Sequence, residues 1–90
     1  MYEVIISPEA VEDLRKLQRF EPMAFKKAEK FIGELAVHPK TGTGHPEPLK
    51  ENRAGQWSRK ITKKHRMIYE IFETTVNVEV ISAYGHYGDK

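Results

Sequence analysis

The chain contains no cysteine and no long apolar run, and each absence excludes a class of protein. Without thiols it can form neither disulfides nor thiolate metal sites, which fits a reducing compartment. No stretch approaches the roughly 20 apolar residues of a membrane-spanning helix. The apolar segment from Tyr2 to Ile6 is too short for a signal peptide, and Glu3 and Glu9 lie where a basic leader would be. We therefore expect a cytoplasmic protein that makes no contact with membranes.

Two ligand-binding motifs are also missing. The segment from Thr41 to Gly44 lacks the Gly-Lys-Ser/Thr that completes a phosphate-binding P-loop. No two histidines have the i, i+4 helical spacing of a zinc site. The four histidines are His38, His45, His65 and His86. We predict neither a metal site nor a cofactor.

Basic residues are concentrated in the middle of the chain. Residues 38–70 contain eight Lys or Arg and three acids, so this third carries +5 although the whole chain carries only +2. Residues 1–37 carry −1 and residues 71–90 carry −2. A basic patch on a balanced protein favours a polyanionic partner such as nucleic acid, although a merely solvated surface can have the same composition.

Two amphipathic helices are predicted after a short first strand over residues 2–6. Ser7-Pro8 is typical of an N-cap followed by the first helical residue, and Pro22 starts the second helix. Each helix has an apolar stripe at i, i+3 or i+4 spacing. The stripes are Val11, Leu14, Leu17 and Phe20, then Ala24, Ala28, Phe31, Ile32 and Leu35.

Three strands are predicted after a long loop at 38–55 that is rich in proline and glycine. The strands cover residues 56–62, 66–72 and 76–83, with a hairpin turn at 73–75. We expect one set of side chains to pack on the helices: Val76, Val78 and Val80 with Met67, Tyr69 and Ile71. The prediction is a single α+β domain over residues 1–90. It has β-α-α followed by an antiparallel twisted sheet, with both helices packed on one face and the other face open.

Glu47 is the best candidate for a general base. It lies between Pro46 and Pro48, which restrict the backbone and fix the direction of the carboxylate. A glutamate on a surface loop without a function is the alternative.

His86, Tyr87 and Arg66 complete a candidate catalytic set. Imidazole titrates near neutral pH and suits a general acid, and the Tyr87 ring can orient or stack on a substrate. A guanidinium at Arg66 can stabilise a phosphorane-like transition state. A tail without function is the alternative for the His86-Tyr87 pair.

Further basic residues are expected to hold the RNA backbone rather than to take part in chemistry. These are Arg59, Lys60, Lys63 and Lys64. The alternative is a solvated hairpin edge that lysines protect from aggregation.

Three motifs give the chain a family resemblance. They are the run from Gly42 to Lys50 (Gly-Thr-Gly-His-Pro-Glu-Pro-Leu-Lys), the Trp-Ser-Arg-Lys-Ile of residues 57–61, and the His-Arg-Met-Ile-Tyr of residues 65–69. With His86-Tyr87, these motifs resemble, in order and spacing, the YoeB/Txe branch of the RelE-type toxins. The resemblance implies the RelE-like microbial ribonuclease fold.

The resemblance also implies a toxin that cleaves mRNA on the translating ribosome and so inhibits translation. Glu47 would be the general base, His86 the general acid and Arg66 the transition-state stabiliser, while Tyr87 would position the substrate. Lys50, Arg59 and Lys60 would bind RNA or ribosome. Attack by the 2′-hydroxyl would leave a 2′,3′-cyclic phosphate and a 5′-hydroxyl, with no metal required.

Partners follow from the same resemblance. It implies a cognate antitoxin of the YefM/Axe type, with operator DNA bound only through the toxin–antitoxin complex. It also allows a homodimer, for which the sequence itself carries no signal. Two departures from the family pattern are Lys60, where many relatives have arginine, and the extension Gly88-Asp89-Lys90. The alternative function is a non-catalytic RNA- or ribosome-binding module, such as a decayed toxin. A weaker one is an antitoxin-side or scaffold protein.

Overall fold

Two helices and a five-stranded sheet form the protein, in a computed structural model that describes residues 1–50 and 55–85. The elements in chain order are β1 (Glu3–Ile6), α1 (Pro8–Phe20), α2 (Pro22–Leu35), β2 (Glu47–Pro48), β3 (Gln56–Lys60), β4 (Arg66–Phe72) and β5 (Asn77–Ser82). The sheet order is β1-β5-β4-β3-β2. β1 runs parallel to β5 and every other pair is antiparallel, so the sheet is mixed. The predicted α+β class and the β-α-α start are confirmed.

α1 begins as the sequence predicts but buries a different stripe. The Ser7 hydroxyl accepts a hydrogen bond from the Ala10 N–H at 3.1 Å and caps the helix. Ala10 and Leu17 are fully buried, whereas Val11 is 36% and Phe20 65% exposed. The predicted stripe was therefore wrong at both ends: Ala10 is buried where Val11 was expected to be, and Phe20 is mostly exposed.

α2 and the central strands form the core as predicted. Fully or nearly fully buried side chains of α2 pack against those of β4 and β5. They are Ala24, Ala28, Phe31 and Leu35 with Met67, Tyr69, Ile71, Val78 and Val80. Val76 is an exception: it precedes β5 with a φ of 55° and is 45% exposed, so its predicted place in the core was wrong. In the described part of the chain, neither helix is long and apolar enough to cross a bilayer.

The two sheet faces differ in what covers them. Alternate residues of a strand point to opposite faces, so Arg59, which pairs with core residue Met67, points toward the helices. Lys60, which pairs with Arg66, points to the other side. We call that second surface the open face. Its residues from β2, β3 and β4 are Glu47, Gln56, Ser58, Lys60, Arg66, Ile68, Glu70 and Phe72. Ser58 and Ile68 on this face are buried (0% and 2% exposed), whereas Glu47 and Lys60 are exposed.

Candidate active site

Glu47 lies on the short edge strand β2. Glu47 is opposite Ser58 and Pro48 is opposite Trp57 in an antiparallel pair with β3. The Leu49 N–H donates to the Gln56 carbonyl at 2.8 Å and extends the pairing. Prolines are tolerated here because an edge strand leaves some N–H positions without a ladder partner. The Glu47 side chain is exposed, so its carboxylate is accessible on the open face.

Lys60 and Arg66 lie on the same face as Glu47. They are directly opposite each other at the ends of β3 and β4, one same-face step beyond the row of Glu47, Ser58 and Ile68. Ordinary strand and sheet spacings put the Glu47 and Arg66 Cα atoms roughly 12 Å apart. Both side chains are long enough to reach a group bound between them, so the fold brings together two of the four predicted catalytic residues.

The pairing of Lys60 with Arg66 is electrostatically unfavourable in the free protein. Like charges directly opposite on a sheet destabilise it. Within residues 1–50 and 55–85, neither side chain forms an ion pair with a carboxylate. A phosphate bound between the two cations would relieve the repulsion through charge-assisted hydrogen bonds. The open face can therefore hold a phosphodiester beside a carboxylate.

The chain just before His86 is anchored at Arg66. The Arg66 N–H donates to the Gly85 carbonyl at 2.8 Å. His86 and Tyr87, the predicted acid and positioning residue, lie outside the described residues. In the sequence, His86 directly follows Gly85, which is the last described residue.

His65 holds the same segment from its other side. Its Nδ1 accepts the Gly85 N–H at 2.9 Å, so Nε2 carries the proton and donates to the Glu21 carboxylate at 2.7 Å. This hydrogen bond from His65 lowers the pKa of Glu21. The Tyr84 ring lies 4.3 Å from the imidazole, which is only 4% exposed. Sequence reasoning did not identify this role, because Glu21 is 44 residues and Gly85 is 20 residues from His65 in the chain.

Arg59 is not available to RNA in this structure, which corrects the predicted role. Its side chain is completely buried on the helix-covered face of β3. All five of its N–H donors are used on internal acceptors. The acceptors are the Tyr69 hydroxyl (3.2 Å), a Glu34 carboxylate oxygen (2.6 Å) and the carbonyls of His38 (2.6 Å), Thr41 (2.7 Å) and Thr43 (3.2 Å).

This network fixes the loop that leads to Glu47. Glu34 also accepts the Thr43 N–H at 3.0 Å and its hydroxyl at 2.8 Å, while the Tyr69 hydroxyl donates to the Pro39 carbonyl at 2.8 Å. Partial burial raises the pKa of Glu34, but the hydrogen bonds from Thr43 and Arg59 outweigh it and lower the pKa overall. Arg59 therefore has a structural role. The only sequence signal for it was its position between Trp57 and Ile61 in the strand alternation.

The remaining predicted RNA-binding residues lie on the surface. Lys50, Lys63 and Lys64 are exposed, and Lys63 and Lys64 lie in the turn between β3 and β4. The Lys64 ammonium is 3.9 Å from the Glu21 carboxylate. Their role in RNA binding stays a prediction.

Two further observations complete the description of the site. Within the described ranges, no group of three or more His, Asp or Glu side chains is placed to hold a metal ion.

The Ser58 hydroxyl is buried at the strand position opposite Glu47. Among the described residues it has no hydrogen-bond partner. A buried hydroxyl without a partner is unusual and marks the floor of the open face as polar.

Known bacterial toxins are similar to this chain in sequence and in fold. A family model for the YoeB-like toxin of bacterial type II toxin–antitoxin systems matches residues 6–87. The Toxin YoeB of Escherichia coli (strain K12) is 35% identical over 74 residues, which cover 82% of this chain and 88% of that protein. The solved YoeB/ParE toxin from Agrobacterium tumefaciens has a TM-score of 0.86 and 33% identity, covering 94% of this chain and 99% of that one. The toxin chain of the heterotetrameric YoeB–YefM toxin–antitoxin complex from Staphylococcus aureus has a TM-score of 0.79 and 28% identity, covering 97% and 99%.

Proposed function

The chain belongs to the YoeB-like toxins of bacterial type II toxin–antitoxin systems, and we propose that it is an endoribonuclease that cuts mRNA on the translating ribosome. The single observation that carries the proposal is the open face. There Glu47, Lys60 and Arg66 lie together, next to the anchored residue that precedes His86.

The reaction is an internal transfer of the phosphodiester. The Glu47 carboxylate removes the proton of a 2′-hydroxyl, and the oxygen attacks the adjacent phosphorus. Arg66 balances the charge that develops on the phosphoryl oxygens, with Lys60 beside it. His86 protonates the leaving 5′-oxygen as its bond to phosphorus breaks, while Tyr87 positions the substrate. The products are a 2′,3′-cyclic phosphate and a 5′-hydroxyl, and no step requires a metal ion.

A cognate antitoxin is the proposed regulator. The staphylococcal relative has been solved in complex with YefM. By analogy, an antitoxin of the YefM/Axe type would bind this chain and inhibit it, and the complex would bind operator DNA. A homodimer of the toxin remains part of the proposal. Cleavage on the ribosome would place the active protein in the cytoplasm.

The test is a reconstituted translation reaction with a defined mRNA, in which new 5′ ends are mapped by primer extension. We expect Glu47→Gln, Arg66→Ala and His86→Ala each to reduce cleavage by about 10²–10⁴-fold. Matched controls are Glu29→Gln, Arg15→Ala and His38→Ala, whose side chains are exposed and lie off the open face. The three control variants should cleave the mRNA as efficiently as the wild type.

Two results would contradict the proposal. New 5′ ends that persist in all three variants would remove the assigned roles. A folded wild type that binds RNA but yields no new ends would favour the non-catalytic binding module instead. An mRNA with a single 2′-deoxy nucleotide at the mapped position sharpens the test, because a 2′-hydroxyl nucleophile predicts that cleavage stops at that position alone.

A further inference from the structure

A basic cleft lies outside the proposed catalytic set, between α2 and the segment that precedes β2. Its volume is about 430 Å³, within the usual range of small-ligand sites of roughly 300–1,000 Å³. Lys27 and Lys30 line it from α2, and His45 and Lys60 line it from the opposite side.

The charges around the cleft are uncompensated. Lys27, Lys30 and Lys60 are exposed, and no carboxylate in the described part of the chain forms an ion pair with any of them. Glu34 lies one turn after Lys30 on α2, the spacing at which helical ion pairs form. Its carboxylate is instead bonded to Arg59 and Thr43. Three cations around one concave surface indicate an anionic ligand.

The cleft also has a rigid aromatic wall. The Phe31 ring is buried beneath Gly44 so closely that a Cβ at Gly44 would lie 2.5 Å from the ring Cζ. Gly44 and His45 both have positive φ values, of 83° and 52°. The Gly44 carbonyl is fixed by the Lys60 N–H at 2.7 Å. A non-glycine residue held in a left-handed conformation is typical of functional loops, and here it presents an imidazole at the cleft.

The cleft and the open face share one residue. Lys60 lines the cleft and is also the residue opposite Arg66, and His45 is two residues before Glu47. We infer that the cleft binds a nucleotide of the substrate RNA that flanks the scissile bond. Lys27 and Lys30 contact its phosphate and the His45 ring stacks on its base. The inference rests on the proposed function, because it takes the ligand of the open face to be RNA.

RNA fits the cleft better than an acidic peptide does. A peptide carboxylate would pair with Lys27 and Lys30. It would leave the His45 ring without a role, and also Lys60, which the cleft shares with the open face. A nucleotide supplies both a phosphate and a base on which an aromatic side chain stacks. Its own backbone would also join the cleft to the phosphate held near Arg66.

Binding of an uncleavable RNA tests the cleft separately from catalysis. A fully 2′-O-methylated oligonucleotide is titrated with wild type, Lys27→Gln, Lys30→Gln and the double variant over a series of salt concentrations, by fluorescence anisotropy. Lys26→Gln is the matched control, because Lys26 is exposed on the same helix but does not line the cleft. The double variant should reduce the magnitude of the slope of log K against log salt by about 0.7, the value for one phosphate contact on a single strand, with a smaller reduction in each single variant, while the control leaves the slope unchanged.

Shortening the oligonucleotide one nucleotide at a time from either end locates the contact. The effect of the Lys27 and Lys30 substitutions should vanish once the RNA no longer reaches the cleft. Equal slopes for the double variant and Lys26→Gln at every length would overturn the inference. So would a wild type that shows no salt-dependent RNA binding, or lysine dependence seen with a poly-glutamate peptide but not with RNA.

The two proposals can fail separately. Lysine-dependent RNA binding without ribosome-dependent cleavage would overturn the nuclease and support the cleft. Cleavage with an unchanged kcat/KM in the double variant, together with lysine-independent binding, would support the nuclease and overturn the cleft.

Discussion

Arg59 and Lys60 are neighbours on β3 with the same charge and opposite surroundings. Arg59 is completely buried with all five N–H donors bonded to protein oxygens, whereas Lys60 is exposed opposite Arg66. The alternation of the strand, and not the charge, decides which basic residue can reach a ligand. One face of β3 therefore stabilises the loop before Glu47, and the other presents the exposed Lys60.

The largest expected difference between the two neighbours is in stability. We expect Arg59→Met to lower the free energy of unfolding by about 3–5 kcal/mol, because it leaves Glu34 and three backbone carbonyls without their cation. Lys60→Met should change it by about 0.5 kcal/mol or less, as is usual for exposed positions. Urea unfolding of both variants measures this. Equal losses in the two would show that the buried network does not stabilise the fold.

Glu34 tests the same network, because the contribution of its carboxylate to the free energy of unfolding depends on pH. We expect Glu34→Gln to cost about 1.5–3 kcal/mol at pH 7, the range for hydrogen bonds to a charged group. The pKa of Glu34 is lowered from its ordinary 4.5 in the folded protein. Its contribution is therefore fully present above pH 4.5 and is lost as the pH falls through the folded-state pKa.

The measurement is urea unfolding of wild type and Glu34→Gln at neutral pH and at steps below 4.5. The difference between the two proteins should shrink as the pH falls. Glu29→Gln, on the exposed surface of the same helix, should differ little from wild type at neutral pH. A Glu34 difference that stays constant into acid would mean that its charge contributes nothing.

The smallest expected effects come from two glycines, Gly44 in the loop before β2 and Gly33 on α2. Gly44→Ala should destabilise by about 1–3 kcal/mol, because the new Cβ meets the Phe31 ring at 2.5 Å and φ is 83°. Gly33→Ala on α2 should stabilise by about 0.5–1 kcal/mol, since nothing lies within 4 Å of the added Cβ. Thermal unfolding should give a lower melting temperature for Gly44→Ala and a higher one for Gly33→Ala. A higher melting temperature for Gly44→Ala would show that the loop can shift away from the Phe31 ring.

The regular elements could be predicted where a periodic pattern spans enough residues. Four of the five residues in the predicted stripe of α2 are buried and Ile32 is partly buried, and β4 has the predicted bounds of Arg66–Phe72. The prediction failed at Val76. In the sequence it continues the alternating valines of β5, but in the structure it lies in the preceding turn with a positive φ. The prediction failed on α1 because an alanine was buried in place of a valine.

The candidate site was less accessible to sequence reasoning. β2 is two residues long and contains a proline, so it has no period to detect, yet its pairing is what places Glu47 on the open face. The burial of Arg59 depends on carbonyls of His38, Thr41 and Thr43, which come close only after the loop has folded over α2. Charge composition identified the basic region but could not separate the buried Arg59 from the exposed lysines around it.

Gly85 is held at both of its backbone polar groups, the N–H by His65 and the carbonyl by Arg66. Gly85 lies in no helix or strand, so these two hydrogen bonds restrain it in place of a strand ladder. One restraint comes from a side chain and the other from the backbone of β4. A single substitution at His65 would therefore remove the first and leave the second in place.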